Sequence, residues 1–215
     1  MKLAWLVLEG DLRIGVSAVA LVLALSTGAY ADEVRSNVTF DGSPEAEGTP
    51  RAQMQSLIFD VASGWANCDR EAMRNAMAED VDFSYPTNRV VGLDNVMADL
   101  EAFCNNAKDT SIYFPADAFY IDEVSGRVAA EVQFRTFQRG NRQVVNDVWI
   151  ASVKDGKITV IKEYLDGRVK DLQALGVLQL EESPDFLTPW PSRTEAWEDC
   201  FPLVKAAPTN NCPAN

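Results

Sequence analysis

The 215-residue chain contains no histidine. This absence excludes Ser-His-Asp and Cys-His catalysis, His-ligated metals and any imidazole acid–base step. Cysteine is also scarce, and a Cys-only zinc site would need clustered pairs. The four cysteines are instead scattered along the chain, at Cys68, Cys104, Cys200 and Cys212. We therefore expect neither a metal nor a cofactor, and any chemistry must come from carboxylates, Tyr, Trp, Arg or Lys.

Basic residues are few as well. The chain has 19 Lys and Arg against 32 Asp and Glu, which gives a formal net charge of −13. Nucleic-acid binding calls for basic patches that neutralise phosphates, so this balance argues against it. The apolar fraction of 47% and the charged fraction of 24% are typical of a globular protein. The length suits one domain with accessory segments.

No apolar run is long enough to span a bilayer, which takes about 20 residues as a helix. Residues 14–25 form an uncharged run of twelve, followed by Ala29-Tyr30-Ala31. An apolar segment followed by an A-x-A site predicts a secretory signal peptide over residues 1–31. The expected location is the bacterial periplasm or the medium, with no membrane contact after cleavage. An uncleaved membrane anchor is the alternative.

Export would place the cysteines in an oxidising compartment, where an even number favours disulfides. Four cysteines allow three pairings. Cys200 and Cys212 are close together in a Pro-rich tail, which favours that pair and leaves Cys68 with Cys104. A catalytic thiolate is disfavoured because no histidine could activate it.

The chain divides into four segments. After the signal peptide, a polar linker is predicted at 32–48, a folded domain at 49–178 and a Pro-rich extension at 179–215. The extension carries Trp190 and Trp197, which suggests that it packs back on the domain. Within the domain, apolar spacing predicts helices at 49–66, 69–77 and 93–103. Alternation then predicts strands at 81–85, 111–121, 127–137, 144–153 and 157–165, before a short helix at 168–175. Helices followed by consecutive antiparallel strands indicate an α+β fold.

Two stretches of the domain point to a family. The letters DGKI at 155–158 and EYLD at 163–166, after two helices and a long run of strands, resemble the end of SnoaL-like proteins. The resemblance extends over roughly 50–178 and places the chain with the NTF2-like superfamily, which includes polyketide cyclases, ketosteroid isomerases and limonene-epoxide hydrolases. It implies a cone in which N-terminal helices pack on a strongly curved antiparallel sheet around one deep apolar pocket.

No active site of these relatives transfers whole. Limonene-epoxide hydrolases place Arg and Asp where this sequence has Val132 and Phe134, and only their second Asp has a counterpart, Glu163. Ketosteroid isomerases carry their base immediately before a proline, where this sequence has Tyr85. The resemblance therefore implies a pocket without supplying a complete mechanism.

Strand alternation supplies the candidate site, because alternate side chains share one face. Asp147 and Glu163 are expected on pocket-facing positions of neighbouring strands, where burial and repulsion would raise at least one pKa. Tyr85 would add a hydroxyl and Trp65 a flat wall. The rest of the predicted lining is apolar and contains no basic residue: Leu57, Val61, Val132, Phe134, Val145, Trp149, Ile161 and Leu165.

Each carboxylate also has a structural alternative. The partners would be Arg142 or Asn146 for Asp147, and Arg127 or Arg135 for Glu163. Lys162, Arg168 and Lys170 are expected to form a solvated face, and Asp166 is expected to cap the last helix.

Three functions fit these observations. The first is an exported enzyme that acts by proton transfer or water addition on a small, mostly apolar molecule through Asp147 and Glu163. The second is a non-catalytic carrier or sensor of such a molecule. The third is a structural module, since NTF2-like sheets often pair as homodimers.

Overall fold

A computed structural model describes residues 36–183, 187–188 and 190–200. The predicted signal peptide and Cys212 lie outside the described residues, as does the side chain of Cys200. The predicted Cys200–Cys212 disulfide therefore stays a prediction. Within the described part of the chain, no helix is both long and apolar enough to cross a membrane.

Three helices form the first half of the domain. They are α1 (Pro50–Asn67), α2 (Arg70–Ala76) and α3 (Leu93–Asn106). The predicted caps are confirmed, because Thr49 Oγ1 accepts a hydrogen bond from the amide of Ala52 at 3.1 Å and Asp69 accepts two from the first turn of α2. A disulfide between Cys68 and Cys104, the predicted second pair, joins the end of α1 to α3.

The strands form one curled, mixed sheet that does not close. They are β1 (Val38–Phe40), β2 (Met77–Tyr85), β3 (Asn88–Val91), β4 (Ala107–Phe114), β5 (Phe119–Asp122), β6 (Arg127–Gln138), β7 (Asn141–Lys154) and β8 (Lys157–Glu163). Their order is β1-β4-β6-β7-β8-β2-β3, with β5 paired to β6. The pairs β1/β4 and β2/β8 are parallel and the others antiparallel. The α+β class is thus confirmed.

Two sequence predictions of secondary structure were wrong. The single strand expected at 111–121 is two strands, β4 and β5, separated by a turn at Pro115, whose ring cannot donate to a ladder. The segment expected to be a linker contributes β1, because Phe40 packs against the rings of Phe59 and Phe119 and so fixes this segment at the edge of the sheet.

The main core lies between the helices and the concave face of the sheet. It includes Ile58 and Val61 of α1 and Trp149 of β7, all at most 1% exposed. A second, smaller cluster covers β7 from the C-terminal side. It combines Val145, Val169 and Leu178 with Leu165, Leu172, Trp190 and Trp197.

The C-terminal segment packs back on the domain, as predicted for its aromatic residues. Helix α4 (Arg168–Ala174) follows β8 after a short connection. Its N-cap is Gly167, and Asp166, expected to be the cap, lies one residue earlier and accepts a hydrogen bond from the amide of Arg168 at 3.0 Å. Residues beyond α4 return antiparallel through a bridge between Leu178 and Arg193. A short helix, α5 (Ala196–Cys200), lies within the predicted Pro-rich extension. Trp197 in this helix stacks edge-on against Trp190.

Candidate functional site

A cavity of about 730 Å³ lies between the concave face of the sheet, α1, α3 and α4. Its floor is built from β6, β7 and β8, the three long neighbouring strands. Acidic, basic and aromatic side chains all reach it, including Asp147, Glu163, Lys170 and Trp65. The sequence predicted the two acids and the aromatic residues in an otherwise apolar lining, but no basic residue.

Asp147 lies on β7 between Val145 and Trp149, and the alternation of the strand turns all three towards the cavity side. The residue is only 5% exposed. Its Oδ2 accepts a hydrogen bond from the indole Nε1 of Trp149 at 2.8 Å. Its Oδ1 is buried and has no hydrogen-bond partner among the described residues. A buried acceptor left unpaired costs free energy, so this oxygen requires an explanation.

Glu163 lies at the end of β8, directly opposite Trp149 on β7. It is therefore a diagonal neighbour of Asp147 rather than its direct partner, and Cα atoms in such pairs are about 7–8 Å apart. The Glu163 side chain lines the cavity and makes no hydrogen bond or ion pair with the described residues. The two acids thus share one face with Trp149 between them.

Burial sets the acidity of both groups. It raises the pKa of Asp147 to about 6, although the Trp149 indole and nearby backbone amides oppose the shift. Burial also raises the pKa of Glu163 well above its usual range, and the charge of Asp147 raises it further. Because donors stabilise the anion only at Asp147, Asp147 is the better place for the negative charge and Glu163 for the proton.

Lys170 is a site residue that the sequence reading placed wrongly on a solvated face. Helix α4 follows β8 with a short connection, so its first turn reaches back over the end of the strand and Lys170 lines the cavity. Burial lowers the pKa of Lys170, while the charges of Glu163 and Asp147 oppose that shift. Arg139, at the rim, is a second basic residue in the lining.

Tyr85 lines the opposite wall, where it forms a second polar pair. Its hydroxyl donates to Oδ2 of Asp99 on α3 at 2.9 Å and accepts from Asn88 at 3.1 Å. Burial raises the pKa of Tyr85, so the phenol keeps its proton at neutral pH. Asp99 was missed, although it lies four residues before Phe103 and so at the edge of the apolar stripe of α3.

The apolar wall of the cavity is aromatic. Trp65 packs edge-on against Phe103, with ring centroids 5.2 Å apart, and tilts against Phe83. Phe103 in turn meets Phe134 on β6. The Nε1 of Trp65 is buried and has no hydrogen-bond partner within the described part of the chain. The cavity can therefore surround a mostly apolar molecule.

Five of the residues predicted as apolar lining do line the cavity: Trp65, Phe134, Val145, Trp149 and Leu165. The other four were placed wrongly. Leu57, Val61, Val132 and Ile161 belong to the main buried core. The reason is that α1 lies over this part of the concave face, so these side chains fill the space between helix and sheet.

The structural alternatives for the two acids are wrong. Arg127 lies at the start of β6 opposite Asp122, and it is not among the charges that affect Glu163. Arg142 bonds to Glu182 and to the carbonyl oxygen of Asp109. Arg135 donates to Gln133 and to the carbonyl oxygen of Glu182. The side chain of Asn146 meets Gln133 and the carbonyl oxygen of Thr188, so none of these residues neutralises Asp147 or Glu163. Across 36–183 and the described tail segments, no three acidic or cysteine side chains gather into a metal-binding group.

Comparison with known proteins identifies this architecture. The family model of the SnoaL-like domain matches residues 58–161. Comparison with curated proteins gives no significant match. Three similar solved structures are PrhC from Penicillium brasilianum, an LEH-like epoxide hydrolase from M. tuberculosis, and a hypothetical protein with a ketosteroid isomerase-like fold from Catenulispora acidiphila in complex with trimethylamine.

These likenesses are of fold. PrhC is 15% identical over 60% of this chain and 93% of its own, with a TM-score of 0.52. The epoxide hydrolase is 15% identical over 58% and 90%, with a TM-score of 0.51. The Catenulispora protein is 14% identical over 60% and 97%, with a TM-score of 0.50. Lys170 lies beyond the residues that the family model matches. Residues 58–161 are thus similar to the SnoaL-like domain, and the fold of the chain is the one that these three structures share.

Proposed function

We propose that the protein is an enzyme that moves a proton on a small, mostly apolar carbonyl compound bound in the cavity. The observation that carries the proposal is the Asp147 carboxylate, which is held by Trp149 at one oxygen and unpaired at the other. A buried base with a pKa of about 6 is suited to general base catalysis near neutral pH.

The two acids have different roles in this reaction. Asp147 accepts a proton from the carbon beside the carbonyl group. Glu163, which holds its own proton, donates a hydrogen bond to the carbonyl oxygen as negative charge develops there. Return of the proton to another carbon completes an isomerisation, and attack of the enol on a second carbonyl would close a ring. Neither outcome requires histidine or a metal.

The site is costly for a protein that only carries a ligand. Both carboxyl groups lack a cationic partner within ion-pair distance among the described residues, and a buried acid without one lowers stability. An apolar residue at either position would hold an apolar ligand at a lower cost. The names of the fold relatives, which include an epoxide hydrolase and a ketosteroid isomerase-like protein, are compatible with a catalytic cavity.

Solvent-deuterium exchange tests the proposal without a known substrate. Small cyclic ketones such as cyclohexanone and 2-tetralone would be incubated with the protein in D₂O, and loss of the α-proton followed by NMR. We expect exchange above background for at least one ketone. Asp147→Asn should slow the exchange by about 10²–10⁴-fold, the usual contribution of a positioned base.

A matched control separates the site from general damage. Glu131 lies on β6 opposite Val148, so its side chain is on the other face of the sheet from Asp147. Glu131→Gln should leave exchange unchanged, whereas Glu163→Gln should slow it while ketone binding, followed by Trp fluorescence, is retained. Equal exchange in wild type and Asp147→Asn for every ketone would refute the assignment. Export and a homodimer stay predictions from the sequence.

A further inference from the structure

We propose that Lys170 and Arg139 form a carboxylate-binding subsite at the rim of the cavity, so that the ligand is an organic acid with an apolar, preferably aromatic, body. The two residues come from different elements, α4 and the turn between β6 and β7, and both line the cavity. The subsite deepens the proposed function, because it names the class of substrate. It depends on one part of that proposal, namely that the cavity binds a small molecule.

Neither cation has a partner within the described ranges. Arg139 is exposed and Lys170 is half-buried, and neither side chain makes a hydrogen bond or an ion pair there. The guanidinium of Arg139 is close enough to lower the pKa of Lys170 by repulsion. Two positive charges held near each other at a cavity, neither of them in an ion pair with a described residue, favour an anionic group of the ligand.

The acids around Lys170 favour its charged form, but none of those in the described ranges lies within ion-pair distance of it. The charged groups that influence it are Glu163, Asp147, Arg139 and Asp171. Burial keeps the proton on Glu163, so of these two acids Asp147 supplies the one carboxylate charge that the cavity sets against the two cations. Asp171, the next residue of α4, is exposed to solvent. The positive charges at the rim are therefore incompletely balanced.

The backbone at Arg139 is a second, independent observation. Arg139 and Gly140 form a two-residue hairpin loop with φ angles of +54° and +82°. Both central residues of such a type I′ turn have positive φ, for which Asn, Asp and Gly are preferred. An arginine in this left-handed position is strained, and strain of this kind is typical of functional positions.

The charge balance selects a carboxylate rather than a phosphate. The guanidinium fork matches the two oxygens of a carboxylate, and the ammonium group adds one point charge. A dianion would be repelled by Asp147, by Asp99 across the cavity and by the net charge of −13. The aromatic wall of Trp65, Phe103 and Phe134 would enclose the apolar body of the acid.

Calorimetry with a matched pair of probes tests the subsite. The probes are 4-phenylbutyrate and its uncharged amide, 4-phenylbutanamide, at neutral pH and low salt. We expect the carboxylate to bind about tenfold more tightly or better, which is the effect of one charge-assisted hydrogen bond. The preference should shrink as salt is added, because the subsite is at the rim.

Two variants remove the charges without harming the fold. Arg139→Asn supplies a residue that the turn prefers, and Lys170→Met keeps the apolar stem. Each should lower the carboxylate preference, and the double variant should bind acid and amide equally, with unchanged affinity for the amide. The control is Lys162→Met, because Lys162 is exposed on β8. It should retain the full preference.

The outcomes separate this subsite from the catalytic proposal. Equal binding of acid and amide by the wild type would overturn the subsite and leave the acid–base pair standing. A preference that survives in the double variant would also overturn it, as would tighter binding of 4-phenylbutylphosphonate than of the carboxylate. Asp147→Asn should keep or increase the preference for the carboxylate, because it removes a negative charge, although it slows exchange. Absence of binding for both probes would count against the subsite and the ligand-binding cavity together.

Discussion

Replacing Asp147 by Asn should stabilise the protein at high pH and leave its stability unchanged at low pH. The pKa of Asp147 rises from 3.8 in a model peptide to about 6 in the folded protein, chiefly through burial. The folded state therefore binds more protons than the unfolded state between these pH values. The stability that Asp147 contributes to the folded state is fully present below about pH 4, and it is lost as the pH rises through about 6.

The size of the effect follows from the shift. About two pKa units correspond to roughly 3 kcal/mol of unfolding free energy at pH 8, at 1.36 kcal/mol per unit. Asn can still accept the hydrogen bond from Trp149 and carries no charge, so it avoids this cost. For a chain of this length, a gain on the order of 3 kcal/mol raises the melting temperature by about 6–12 °C.

Thermal melts of wild type and Asp147→Asn from pH 4 to pH 8 measure the difference directly. Wild type and Asp147→Asn are compared with each other at each pH. Other acids, such as Asp82 beside Arg89, have lowered pKa values and change the stability of the two proteins in parallel as the pH changes. Glu131→Gln, on the other face of the sheet, should follow the wild type throughout. Coincident curves for wild type and Asp147→Asn at every pH would show that the carboxylate is solvated, and the site would be refuted.

Three further predictions concern Trp149, the disulfide and the N-terminal segment. Trp149→Phe removes the donor that stabilises the Asp147 anion, so the pKa of Asp147 should rise beyond about 6, as followed by carboxyl ¹³C NMR; an unchanged or lower value would contradict the hydrogen bond. Replacing Cys68 and Cys104 together by Ala should lower the unfolding free energy by about 3–4 kcal/mol, which is the chain-entropy value for a loop of this size. Urea titration measures this loss, and a loss below about 1 kcal/mol would contradict the disulfide's contribution. Mass spectrometry of exported protein should find an N-terminus at Asp32, and retention of the preceding segment would contradict the signal peptide.

Much of the fold could be predicted because its signals are local. The cap at Thr49, the apolar spacing along α1 and the alternation of the long strands each depend on a few neighbouring residues. Alternation also predicted which side of β7 carries Asp147, since a strand has only two faces. Strand β1 and the break at Pro115 were less visible, because a three-residue strand is fixed by its neighbours rather than by its own pattern.

The candidate site was only half predictable. The facing of Asp147 and Glu163 came from the sequence, but their diagonal relation came from the register between β7 and β8, which depends on the whole sheet. Leu57 and Ile161 have the pattern of pocket residues yet lie in the core, because the position of α1 decides which part of the concave face stays open. No local pattern contains that information.

The sequence by itself determined the chemistry that this protein can use: no histidine, two acids on the inner faces of neighbouring strands, and the α+β order of elements. The tertiary structure decided what surrounds those acids. It brought Trp149 to one oxygen of Asp147, Lys170 back over the end of β8, and Arg139 to the rim through a strained turn. The reason is physical: side-chain facing follows from the backbone repeat, whereas burial, register and charge proximity arise only when distant segments pack together.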